Sequence, residues 1–114
     1  MSIKWYNLTE ASSDAFITLG RTTLYFSGEA VRKLGPSSRF VYVGAEDNAL
    51  FIRPSKGKEK GTLKLTVGKT GFAVVGSRAP LKFLKTLGLE EGRYAFDRSD
   101  GRNGGEIFRF IKED

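Results

Sequence analysis

The same order of elements is written twice in this chain: strand, strand, short helix, Leu-Gly stop, strand, strand. Phe16-Ile17-Thr18-Leu19 reads as a strand, Gly20-Arg21 as a turn, and Thr23 to Phe26 as a second strand of β-branched and aromatic side chains. Ser27 can cap a helix, because its hydroxyl can accept from an amide of the first turn. That helix runs to about Leu34 and stops at Gly35-Pro36. Arg39 to Val43 and Leu50 to Arg53 then pair as a hairpin across Glu46-Asp47-Asn48. Residues 54–61 hold no large apolar side chain, two glycines and three lysines, so they read as a linker or exposed loop.

After that loop the order repeats. Leu63 to Val67 is a strand, Gly68 to Gly71 a turn, and Phe72 to Val75 a second strand. Pro80 suits the first turn of a helix, where its missing N–H costs nothing. The helix carries Leu81, Leu84 and Leu87 and ends at Gly88. Arg93 to Phe96 and Glu106 to Ile111 follow as strands, joined by a glycine-rich loop from Ser99 to Gly105. A shift of 53 in numbering superposes Ser27 on Pro80, Val31 on Leu84, Leu34 on Leu87 and Gly35 on Gly88. One half has too little core to fold alone, whereas two can bury their apolar faces on each other. The expected fold is therefore α+β and β-rich: two ββαββ halves sharing one core. The expected divisions are an N-terminal arm (1–14), a first half (15–54), a basic linker (55–62) and a second half (63–114).

Absent residues remove whole classes of chemistry. The chain contains no histidine and no cysteine, which excludes imidazole or thiolate zinc sites and Ser-His-Asp or Cys-His nucleophilic machinery. No cofactor is expected. The carboxylate pairs Glu90-Glu91 and Glu46-Asp47 sit at turn signals, where solvated carboxylates are common, so no catalytic pair stands out and the expectation is a binding module rather than an enzyme. Gly68-Lys69-Thr70 lacks the earlier glycine of a phosphate-binding loop, since that position is Leu63, and reads as a hairpin turn. No apolar run is long enough for a membrane span, no secretory layout opens the chain, and the cytoplasm is the expected compartment.

Charge is what points to a partner. Between Arg53 and Lys85 nine lysines and arginines face a single carboxylate, Glu59, a local surplus larger than the +6 of the whole chain. The rest of the chain is thus slightly acidic, a split expected when one face meets a polyanion. Lys56, Lys58 and Lys60 lie on the linker, and Arg78, Lys82 and Lys85, spaced by four and three, share one face of the second helix. These six are the candidate phosphate contacts. Arg21 and Arg102, on glycine-containing turns, are the candidates for base-edge readout. Most of the fourteen aromatics alternate along strands, as core residues do; Trp5 and Tyr6, on the N-terminal arm, could pack on the barrel or stack on a partner.

The repeated unit resembles the swapped-hairpin fold of the AbrB/SpoVT-type transition regulators and antitoxins. The likeness rests on the second half: Pro80, seven residues to Leu87-Gly88, then Leu89-Glu90-Glu91-Gly92-Arg93-Tyr94. In the first half Ser27 replaces the proline, and Gly35-Pro36-Ser37-Ser38-Arg39 is one residue short. The resemblance implies interleaved hairpins that close a barrel and grip DNA through basic loop residues; two units in one chain imply a pseudo-dimer. The family's arginine four residues after the proline is replaced here by Val31 and Leu84, and Gly20-Arg21 lies two residues further from the helix. The expected partner is duplex DNA, with an acidic protein surface as the alternative, bound by a pseudo-symmetric monomer or a homodimer.

Overall fold

Among the described residues short strands alternate with two helices, and the strands join into one sheet. A computed structural model describes residues 15–35, 39–69, 71–75, 78–102 and 105–113. The first half holds β1 (Phe16–Leu19), β2 (Leu24–Phe26), α1 (Gly28–Leu34), β3 (Phe40–Glu46) and β4 (Ala49–Ser55). The second holds β5 (Leu63–Lys64), β6 (Thr66–Val67), β7 (Ala73–Val75), α2 (Arg78–Thr86), β8 (Gly92–Arg102) and β9 (Gly105–Lys112). The N-terminal arm, with Trp5 and Tyr6, lies outside the described residues.

The strand order is β5-β3-β4-β9-β8-β1-β2-β7-β6, antiparallel throughout. Its two edges are consecutive in sequence. β5 pairs with β3 while β6 pairs with β7, and only Leu65 separates them. The segment Leu63–Val67 thus joins one edge of the sheet to the other and leaves a nearly closed barrel. Leu65 is 1% exposed, and its N–H donates to the Arg39 carbonyl at 2.7 Å. Closure leaves few unpaired edges.

Alternation along the strands fills the interior. Ile17, Leu19, Leu24, Phe26, Val41, Leu50, Ile52, Tyr94 and Phe110 are fully or almost fully buried, and Ala30, Val31, Leu34, Leu81 and Leu84 of the helices join the same cluster. Ser27 ties α1 to the sheet: its Oγ accepts from Ala30 N–H at 3.2 Å and from Phe16 N–H at 2.9 Å. The β3–β4 hairpin turns on Asp47 and Asn48 at φ 51° and 63°, the left-handed pair that a tight two-residue turn demands and that Asp and Asn tolerate.

Three expectations need correction. First, Leu87 is not part of the helix. α2 ends at Thr86, and Gly88 at φ 98° reverses the chain so that Gly88 N–H meets Lys85 O and Leu89 N–H meets Leu84 O. Those two bonds form a Schellman cap, which buries Leu89 and leaves Leu87 48% exposed. Second, Ser99 to Gly105 is not a long loop. β8 and β9 stay paired out to Arg102 and Gly105, with a register shift between Phe96 and Arg98. β1 leaves β8 at Ala95 and β4 leaves β9 at Phe108, so the remainder extends as a two-stranded ribbon. Third, the linker begins later than expected: Pro54 and Ser55 belong to β4, opposite Val41 and Phe40. β9 accompanies β4 only as far as Ile52, so Pro54 sits where β4 has an open side, a place a residue without an N–H can occupy.

Candidate functional site

α2 presents different chemistry on its two flanks. Leu81 and Leu84 point inward, and Arg78, Lys82 and Lys85 line up along one side of that buried stripe. Phe83 and Leu87 lie along the other side, 52% and 48% exposed. On the basic side Arg21, from the bend between β1 and β2, comes in from the first half. Arg21, Arg78, Lys82 and Lys85 line one hollow of about 280 Å³ with Leu81. Four cations around one apolar residue make a surface suited to phosphate groups. The first turn of α2 contains no acidic residue, so the positive end of the helix dipole adds to the same potential.

Several cations elsewhere in the chain are engaged by its own side chains. Arg32 is held by Glu29 at 2.6 Å, Arg93 by Glu113 at 3.2 Å, and Lys112 by Glu90 at 3.4 Å; Arg109 pairs with Asp97. Lys33 sits 4.5 Å from the Phe96 ring centre and Arg93 3.7 Å from that of Phe16. In the hollow, Lys85 meets Glu91 at 3.8 Å, an exposed contact of small energy. Among the described residues no carboxylate pairs with Arg21, Arg78 or Lys82. A larger hollow of about 330 Å³, lined by Ala45, Glu46, Phe51, Asp100 and Ile107, carries only carboxylates as charged groups and is unsuited to a polyanion.

Comparison with protein-family models, curated proteins and solved structures finds no match to this chain. The functional argument therefore rests on the geometry. Among the described residues no cluster of acidic side chains could hold a metal ion, and no helix is long and apolar enough to cross a membrane.

The other candidate residues lie apart from this hollow. Lys56, Lys58 and Lys60 are exposed on the loop between β4 and β5 and are not among its lining residues. Arg102 is not on an irregular turn: it ends β8, opposite Gly105 at the tip of the ribbon.

Two carboxylates that were not candidates hold basic segments, one at the hollow and one on the lysine loop. Glu91 is the counter-charge to Lys85. Glu59 fastens the lysine loop: Tyr42 Oη donates to it at 2.9 Å and Ser55 Oγ at 2.8 Å, while its backbone N–H donates to Thr62 Oγ1 at 3.2 Å. The Ser55 bond first, then that from Tyr42, holds the Glu59 carboxyl below its ordinary pKa; the same bond raises that of Tyr42. Glu59 was visible as the lone acid in a basic run, but its partner Tyr42 belongs to β3, and only the folded sheet places them together.

Proposed function

We propose that this chain binds nucleic acid, with duplex DNA as its target, and that it does so as a swapped-hairpin pseudo-dimer of the AbrB/SpoVT type. The hollow lined by Arg21, Arg78, Lys82 and Lys85 carries the proposal. Phosphate contacts supply most of the affinity and orient a protein on DNA, and the lysines of residues 56–60 add to the surrounding potential.

The pairing order supports the pseudo-dimer. β1–β2 in the first half answers to β6–β7 in the second, and β3–β4 answers to β8–β9. Each half also lends a strand to the other: β1 pairs with β8, and β5 with β3. The two remaining contacts, β2 with β7 and β4 with β9, join equivalent strands across the pseudo-axis. Arg21 and α2 come from different halves, so the hollow is itself a product of the exchange.

A second reading is favoured by Phe83 and Leu87. Exposed apolar side chains beside a basic flank suit an acidic, partly apolar protein surface. Salt separates the two readings, because log K for phosphate binding falls steeply and linearly with log salt. Fluorescence anisotropy with labelled duplex DNA, single-stranded DNA and RNA, across ~50–200 mM salt, is the test. Salt-sensitive duplex binding is expected. Failure to bind any of the three at the lowest salt would turn the search to a protein partner.

A further inference from the structure

The barrel pairs its strands with two-fold regularity, but its charge does not follow that symmetry. The bend after β1 carries Gly20-Arg21 and α1 follows it in sequence; the turn after β6 carries Gly68-Lys69 and α2 follows it. By the correspondence of strands, the counterpart of the Arg21 bend and α2 is the Lys69 turn and α1. The first junction gathers Arg21, Arg78, Lys82 and Lys85 around one hollow.

On α1 the basic side chains are engaged within the chain. Glu29, in the first turn of α1, takes both Arg32 Nε at 3.0 Å and Arg32 Nη2 at 2.6 Å. Lys33 lies over the Phe96 ring. The corresponding turn of α2 has no acid. Of the bases on α1, one is held by a carboxylate and the other lies against a ring.

We infer that the chain engages DNA from one side only: the Arg21–α2 junction takes the phosphates, and the pseudo-equivalent Lys69–α1 junction does not. This rests on the nucleic-acid function proposed above. Its consequence is stoichiometric. One chain holds one duplex, whereas a homodimer of single-unit chains would present two equal junctions. Glu29, by holding Arg32, lowers the charge that the second junction can offer.

The experiment compares two double variants by anisotropy on a short duplex at low salt, with circular dichroism to verify folding. Arg21→Glu with Lys82→Glu is expected to weaken binding by about tenfold or more. Arg32→Glu with Lys69→Glu is expected to stay within about twofold, as contacts outside the phosphate path do. Equal losses in both variants would overturn the one-sided inference while leaving nucleic-acid binding intact. A wild-type chain that binds no duplex would remove both. Because Arg32→Glu also breaks the pair with Glu29, Lys69→Glu alone serves as the second readout, and a tenfold loss there would equally overturn the inference.

Discussion

Arg21 and Lys82 line the same hollow although they belong to opposite halves of the chain. Arg21 sits on the bend after β1, and Lys82 on the second turn of α2. Their meeting follows from the strand pairing: β1 leaves Arg21 at the end where β2 lies against β7, and β7 leads directly into α2.

Lys82 has no carboxylate partner among the described residues, so its removal should be felt by the ligand and little by the fold. Lys82→Ala is expected to weaken duplex binding to about the same degree for every sequence and to lower the salt slope by ~1. Titrations on two unrelated duplexes at three salt concentrations check this. A loss confined to one sequence would mean that Lys82 reads bases.

Glu91 competes with phosphate for Lys85, from which it lies 3.8 Å away. An exposed ion pair is worth ~0.2–1 kcal/mol, so Glu91→Gln should tighten duplex binding by about 1.4- to fivefold. Unchanged affinity would mean that Lys85 makes no phosphate contact.

The loop that carries Lys56, Lys58 and Lys60 depends on one carboxylate. Glu59 is held below its ordinary pKa by Ser55 and Tyr42, so its charged form is the one the fold favours. The resulting stabilisation is fully present above the ordinary glutamate pKa and is lost as pH falls through the lowered folded value. The Glu59 carboxyl should therefore titrate by NMR below the ordinary glutamate value. At neutral pH, Glu59→Ala should speed tryptic cleavage at the three lysines with little change in global unfolding.

Ser27 is the side chain on which the first half turns. Its buried hydroxyl accepts two backbone N–H groups, from Phe16 and Ala30. Ser27→Ala removes a helix cap and strands both donors, at an expected cost of about 2–4 kcal/mol, read from the urea midpoint. A cost near zero would contradict this double role.

Local chemistry was legible wherever neighbouring residues decide the outcome. The Ser27 cap, the Asp47-Asn48 hairpin and the Gly68 turn follow from side chains within a few positions of one another. Leu87 was misplaced because apolar spacing cannot tell the last helical residue from the first residue of a glycine cap; Leu89 fills the core instead. The β8–β9 ribbon was hidden by its glycines and polar residues, which read as a loop until cross-strand pairing holds them extended. Closure at Leu65 depends on partners in both halves and leaves no local mark. The hollow was half legible: charge and helical spacing named Arg78, Lys82 and Lys85 together, and Arg21 was named apart. Nothing in the order of residues separated this group from the lysines of the loop.

The most direct test of the hollow as the contact surface is an amide NMR titration of the whole chain with a short duplex at low salt. Shifts centred on Arg21, Arg78, Lys82 and Lys85, with little change at Glu29, Arg32 and Lys69, are the predicted result. Shifts centred instead on Phe83 and Leu87, or on Glu46 and Asp100, or no shift at any residue, would contradict it.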